Sequence, residues 1–400
     1  MGERDPMQRL HVVLVANTGW NVVRFRAELI SGLLDAGWTV SAIASFNGDQ
    51  LDRLRRLGVR PIPLELDAAG RNPMRDLAYL GRLARAIRHL RPDLVHLFTI
   101  KPVIWGTFAA RLAGVPGIVA SLTGAGILRA DGRPWLGRAL RPLVRTALAG
   151  RPEIVFQNRD DMRSFVAAGI VGADRATLIA GSGIDTEALV PDLNRPPDER
   201  KAFVMASRML WSKGVADFAA AARLVKREHP AAQFVLFGGA REDYGSKNPD
   251  FIERSWLEAL NREGVVEWCG WTDPVKVEAA MRAAAAVILP SYYAEGVPRA
   301  LIEAAAAGVP VITTDLPGCR DTVIDGRSGF LVPPRSPERL AAAMTGLLLD
   351  PERMAGMGRE ARRLAVATFD RRLIVAQTLA VYERALTPGA RREAIRPLPA

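Results

Sequence analysis

Apolar residues in this chain gather into short runs, not long ones. Predominantly apolar runs stand at 10–16, 39–44, 94–98, 118–121 and 154–157. They recur at 202–206, 234–237, 265–270, 287–290, 309–314 and 329–333. That length, with turn-forming residues between, predicts buried strands. The intervening segments carry apolar positions at helical spacing. The first runs from about 23 to 36, with Phe25, Leu29, Leu33 and Leu34; others are expected at 75–91, 158–168 with Asn158 as N-cap, 298–308, 336–349, 352–366 and 370–386, and a long alanine-rich helix follows Gly214. Strand and helix in alternation predict doubly wound α/β domains with parallel sheets. The 400 residues suit two of them. The expected division is 1–184, a Pro- and Asp-rich linker at 185–200, 201–369, a closing helix at 370–386 and a basic tail at 387–400.

One stretch, 287–318, reads VILPSYYAEGVPRALIEAAAAGVPVITTDLPG. The pattern predicts a strand, a loop through Val297, a helix with Pro298 in its first turn and Gly308 as its stop, and then a strand. In open parallel sheets ligands sit outside the carboxyl ends of the strands. Glu295 lies in that loop and Glu303 one to two turns into the helix, while Gly296 permits close backbone approach. A helix start favours an anion through its unpaired N–H groups and dipole. Two acids beside it predict a polyhydroxylated ligand that carries phosphate. Its hydroxyls would donate to the carboxylates while the phosphate faces the amides.

Glu-(seven residues)-Glu in this setting resembles the signature of family 4 retaining glycosyltransferases. The resemblance implies the GT-B fold, two Rossmann-like doubly wound domains facing a central cleft. Arg208 and Lys213, in SRMLWSKG after the 202–206 strand, match the cations that hold the nucleotide diphosphate in that family. With Glu295 they are the expected catalytic residues, and charge balance at a strand–loop–helix junction agrees. The donor site is expected to include Gly19, Gly238, Gly239, Gly296, Val297, Pro298 and Glu303, with Trp271 or Trp268 beside the base. A core role is the alternative for either tryptophan. For the acceptor the expected residues are Arg24, Arg26, Lys101 in the loop 99–102, Thr123 and Gly124; surface roles are equally open to the two arginines. Many family members carry a histidine near 123, and here Thr123 and glycines stand instead, which removes any histidine role at that loop. Asp160-Asp161 is not an Asp-x-Asp motif. No metal and no cofactor are expected.

Further motifs, WNVVRFRAELI, HLFTIKP, SLTGAG and FQNRDD, resemble one branch of the family. That branch extends saccharides on undecaprenyl diphosphate in bacterial glycan, capsule or exopolysaccharide assembly. It implies a UDP-sugar donor, a lipid-linked saccharide acceptor, and retaining transfer of a hexose or N-acetylhexosamine. A nucleotide-sugar epimerase of the same fold and a non-catalytic peripheral membrane-binding protein are the alternatives.

Charge sharpens the membrane question. The net charge is +11, and residues 51–150 hold 17 Lys and Arg against 6 Asp and Glu, so this hundred carries the whole surplus. Segment 127–151 sets six arginines against Asp131 alone. Arg138, Arg141 and Arg145 make a basic stripe opposite Trp135, Leu136, Leu140, Leu143, Val144 and Leu148. This predicts either an interfacial membrane helix or a core-facing helix with solvated arginines. Pro142 is expected to kink or split it. Few aromatics among the basic residues and no zinc-finger, RRM or KH motif argue against nucleic acid. With 49% hydrophobic and 24% charged residues, no apolar stretch of ~18 residues and no cleavable leader pattern, the expected location is cytoplasmic, on the inner face of the plasma membrane. Cys269 and Cys319 are expected to be reduced thiols.

Overall fold

The computed structural model describes residues 9–66, 73–124, 134–192, 196–246, 248–293 and 295–387, with the backbone alone at 73 and 134–140. They divide into two compact units. The first runs through Gly183 and resumes at Arg372; the second is Ile184–Arg371.

The first unit holds a parallel sheet: β1 (His11–Thr18), β2 (Thr39–Ser45), β3 (Arg60–Pro63), β4 (Leu94–Phe98), β5 (Gly117–Leu122), β6 (Glu153–Phe156) and β7 (Ala176–Leu178). Their order is β3-β2-β1-β4-β5-β6-β7. Val12 pairs with Val40 on one side and Leu94 on the other. The central strands β1, β2, β4, β5 and β6 are largely apolar and buried because helices cover both faces. The order reverses between β1 and β4, so the carboxyl ends of those two strands frame the crevice where such sheets bind ligands.

The second unit repeats the plan with β8 (Ala202–Ala206), β9 (Gln233–Phe237), β10 (Glu267–Trp268), β11 (Ala286–Leu289), β12 (Val311–Thr314) and β13 (Gly329–Val332). The order is β10-β9-β8-β11-β12-β13, all parallel, and it reverses between β8 and β11.

Several elements differ from the sequence pattern. β3 reads RPIP, and prolines are tolerated there because the strand lies at the sheet edge. The first helix breaks at Arg26 into Gly19–Phe25 and Ala27–Asp35. Residues 100–102, expected in a loop, open the helix Ile100–Leu112; Pro102 sits in its first turn, where the missing N–H removes no intrahelical bond. The helix Pro134–Leu148 runs through Pro142 without splitting. Asn158 is the N-cap foreseen, its side chain accepting from Asp161 N–H at 2.8 Å. Residues 186 and 189, expected in a linker, are fixed to the second unit, where the Arg362 guanidinium donates to the Thr186 and Leu189 carbonyls.

The helix Arg371–Leu386 packs on the first unit's sheet. Tyr382 and His96 are both buried; the phenol oxygen lies 2.7 Å from His96 Nδ1, and His96 Nε2 lies 2.7 Å from Ser121 Oγ. Burial, with the Arg26 charge behind it, pushes His96 well below the ordinary 6.5. The unfolded chain therefore takes up a proton that the native unit refuses as pH falls past about 6.5, and stability is lost in that direction. Urea denaturation at pH 7.5 and 5.5 will show this loss, and His96→Gln will show less of it. An equal pH response in the two proteins would place the acid sensitivity elsewhere.

Candidate active site

The switch point of the second sheet brings together two loops distant in sequence. After β8 the chain passes Ser207 and the exposed Arg208, makes one 3-10 turn at Trp211–Lys213, and enters the helix Val215–Glu228 through Gly214 at φ 77°. A Cβ at Gly214 would stand 2.1 Å from the Pro290 carbonyl oxygen, so only glycine lets this loop lie against the end of β11. Main-chain and side-chain bonds join the loops. Tyr292 N–H donates to Ser212 O at 2.9 Å. Ser291 Oγ lies 3.2 Å from Ser212 O and 3.1 Å from Glu295 Oε1, so its single proton serves one at a time.

That alignment aims Lys213 at Glu295. Its ammonium donates to Glu295 Oε1, and the two side chains keep only 11% and 13% exposure. Glu303 accepts from Arg299 Nε at 2.8 Å, one helical turn away. The helix here is Arg299–Ala306. Pro298 is its extended N-cap, not a first-turn residue, and its carbonyl accepts from Leu301 N–H at 3.1 Å. Glu295, Gly296, Arg299 and Glu303 thus share one loop–helix junction, and Lys213 joins them from the loop after the neighbouring strand β8. Chemically, the arrangement offers two carboxylates for hydroxyl donors and fixed cations for phosphate.

The glycines after β9, expected at the donor site, are also required by close packing. Gly238, at φ 146°, passes so close to β8's exit that a Cβ would meet the Ser207 carbonyl oxygen at 1.8 Å. A Cβ on Gly239 would touch Asp243 and Tyr244 at 3.1 Å. Trp268 is buried and its indole donates to Gly238 O at 2.9 Å, a core role. Trp271 is 60% exposed and meets Tyr244 edge-on at 5.5 Å. Burial raises the Tyr244 phenol, and the nearby Arg208 charge offsets part of that rise.

In the first unit, Gly19 opens the helix at the end of β1, where a Cβ would collide with Gln50 and Phe46. Arg24 is half-buried nearby. Arg26 is not a surface arginine: it is buried, with its guanidinium carbon 4.0 Å from the centre of the Phe98 ring. Lys101 lies in a helix turn and donates to Asp76 at 3.0 Å. Thr123 and Gly124 follow β5 and are half-buried. Arg141 and Arg145 are exposed while Val144, Ala147 and Leu148 on the same helix are buried; the Arg138 side chain and 127–133 lie outside the described residues.

Sequence comparison identifies the family. The family described as "Glycosyl transferases group 1" matches residues 190–364, and "Glycosyl transferase 4-like" matches 11–158. The chain belongs to these glycosyltransferases. It is 25% identical over 392 residues to N,N'-diacetylbacillosaminyl-diphospho-undecaprenol alpha-1,3-N-acetylgalactosaminyltransferase of Campylobacter jejuni, taking in 94% of this chain and 99% of that protein. It is 24% identical over 270 residues to UDP-Gal:alpha-D-GlcNAc-diphosphoundecaprenol alpha-1,3-galactosyltransferase of Escherichia coli, covering 65% and 67% of the two chains. A solved glycosyltransferase from Rickettsia africae superposes with a TM-score of 0.76 at 18% identity over 95% of this chain and all of that one, which shows the GT-B fold.

Sequence reasoning on this glycosyltransferase missed Arg299, Ser291, Ser212 and Asp250. Arg299 was legible, because an arginine four residues before a glutamate faces it on a helix. Asp250, whose carboxylate accepts from the Ser212 N–H at 3.0 Å, was not, because it reaches Ser212 only through the tertiary fold. Both thiols sit where the thiolate is disfavoured. Burial pushes Cys319 up to about 12 and Cys269 up to about 11, with Glu295 and Glu267 respectively adding to the rise. Among the described residues no helix is long and apolar enough to cross a membrane.

Proposed function

We propose that this glycosyltransferase moves a hexose or N-acetylhexosamine from a UDP-sugar to an undecaprenyl-diphosphate-linked saccharide, with retention, in surface polysaccharide or glycan synthesis. What carries the reading is the meeting of Lys213 and Glu295 at the switch point of the second sheet, with Arg208 on the same loop. The relatives from Campylobacter and Escherichia, named for diphospho-undecaprenol acceptors and in one case for UDP-Gal, supply the substrate class.

On this reading Arg208, Lys213 and the helix start after Pro298 balance the departing diphosphate. Glu303, held by Arg299, accepts the ribose hydroxyls. Glu295 orients the sugar hydroxyls and favours the oxocarbenium-like transition state. The acceptor hydroxyl bonds to the anomeric carbon on the face that the phosphate oxygen leaves, and its proton passes to that phosphate. The cations do the charge balancing, so the scheme calls for no metal. The arginines of the first unit hold the protein to anionic lipid at the inner face of the plasma membrane.

The test is UDP release from a panel of UDP-sugars, with undecaprenyl-diphosphate saccharides carried in neutral or anionic vesicles. Acceptor-dependent release, faster on anionic vesicles, is expected. Donor interconversion without acceptor would instead reveal an epimerase, and vesicle binding with no turnover would leave only a membrane-binding protein.

A further inference from the structure

Residues 240–246 and 248–253, between β9 and the helix Arg254–Glu263, play no part in the scheme above, yet part of this stretch lies directly along the Arg208–Lys213 loop. Ile252 N–H donates to Met209 O at 2.9 Å, Trp211 N–H donates to Asp250 O at 2.8 Å, and Leu210 and Phe251 form an antiparallel bridge. The segment is itself anchored, since the Arg241 guanidinium donates to Phe251 O at 2.9 Å and to Glu253 at 2.6 Å. At its centre the Asp250 carboxylate takes both donors of Ser212, the N–H on Oδ1 at 3.0 Å and the hydroxyl on Oδ2.

Ser212 is therefore fixed from two sides. Asp250 holds its N–H and hydroxyl, while Tyr292 N–H, from the Glu295 loop, donates to its carbonyl. The next residue is Lys213. With the Ser212 peptide pinned at both ends and Gly214 locked in a left-handed turn, the start of the Lys213 side chain has one direction, toward Glu295. We infer that Asp250 is a positioning residue for donor binding: by clamping Ser212 it presets the Lys213 ammonium where the donor diphosphate will lie. The inference rests on Lys213 being a ligand of that diphosphate. Nothing in it requires Asp250 to touch the donor.

The clamp is separable from the fold. Removing the carboxylate leaves the main-chain bonds at 209, 211 and 252 in place, so Asp250→Ala keeps the segment docked while freeing the Ser212 peptide. Calorimetric titration with UDP reads the consequence. Lys213→Ala will weaken UDP binding, and Asp250→Ala will weaken it about ten-fold through misplacement alone. Asp250→Asn, which still accepts from Ser212 N–H, will recover most of that loss. In the double variant the Asp250 effect disappears, because there is no ammonium left to aim. A merely structural role would instead give losses that add. Should Asp250→Ala not fold, Ser212→Ala, which removes only the hydroxyl half of the clamp, tests the same coupling with Lys213→Ala. Additive losses, or wild-type UDP affinity in Asp250→Ala, would overturn the inference while leaving the functional reading intact. Wild-type affinity in Lys213→Ala would remove the functional reading and the inference with it.

Discussion

Glu295→Gln will lower sugar transfer by about a hundred- to a thousand-fold, the range found when one preorganised group aimed at developing charge is removed. The same variant will bind UDP at least as tightly as the wild type. Glu295 occupies the ammonium of Lys213 before any donor arrives. A diphosphate that recruits Lys213 must compete with that carboxylate, and both groups are largely shielded from water, so the competition is not screened away. Glutamine keeps the shape and removes the competing charge. Transfer and UDP binding should thus move in opposite directions, and initial rates beside calorimetric titration measure both. Activity within a few-fold of wild type would remove Glu295 from the reacting centre. UDP binding lost together with activity would make the carboxylate a structural anchor of Lys213, not its resting partner.

The parts of this site that were legible from sequence are those made by local rules. Residues 287–318 announce a strand, a loop and a helix through Pro290, Gly296, Pro298 and Gly308, and the acids fall where such a unit places them. Arg208 and Lys213 follow a strand, and the switch between β8 and β11 brings Lys213 to Glu295. Asn158 announces its helix in the same local way. What escaped reading depends on partners remote in the chain. Lys101 looked available because Asp76, which accepts from it, is 25 residues away. The sequence leaves an acceptor role and a surface role equally open for Arg26, because nothing local shows that it lies over Phe98. The close approach of Gly238 to the Ser207 carbonyl is likewise invisible to any local pattern. β3 was hidden by its prolines, which a central strand would not tolerate and an edge strand does.

Gly318→Ala will be among the most damaging single-methyl changes in the second unit, and it will act on the site as well as on stability. Gly318 sits at φ 80° just after β12, in the left-handed region that costs an L-residue roughly 1–2 kcal/mol. A Cβ there would stand 1.8 Å from the Gly296 carbonyl oxygen and 2.6 Å from that of Glu295. Both are backbone atoms, so no side-chain rotation relieves the contact. Conformation and overpacking together should cost about 3 kcal/mol or more. The loop that yields is the one carrying Glu295, so transfer should also fall, by about a hundred-fold for a displacement near 1 Å. Gly326→Ala separates the two causes. Gly326 has φ 70° but no atom within 4 Å of the position its Cβ would take. It should therefore pay the conformational cost alone and keep its activity. Urea denaturation and UDP release on the two variants decide the matter: equal losses would mean that backbone conformation explains both, whereas a deficit confined to Gly318→Ala locates the pressure on the Glu295–Gly296 peptide and makes the close approach of the two loops a condition of the site.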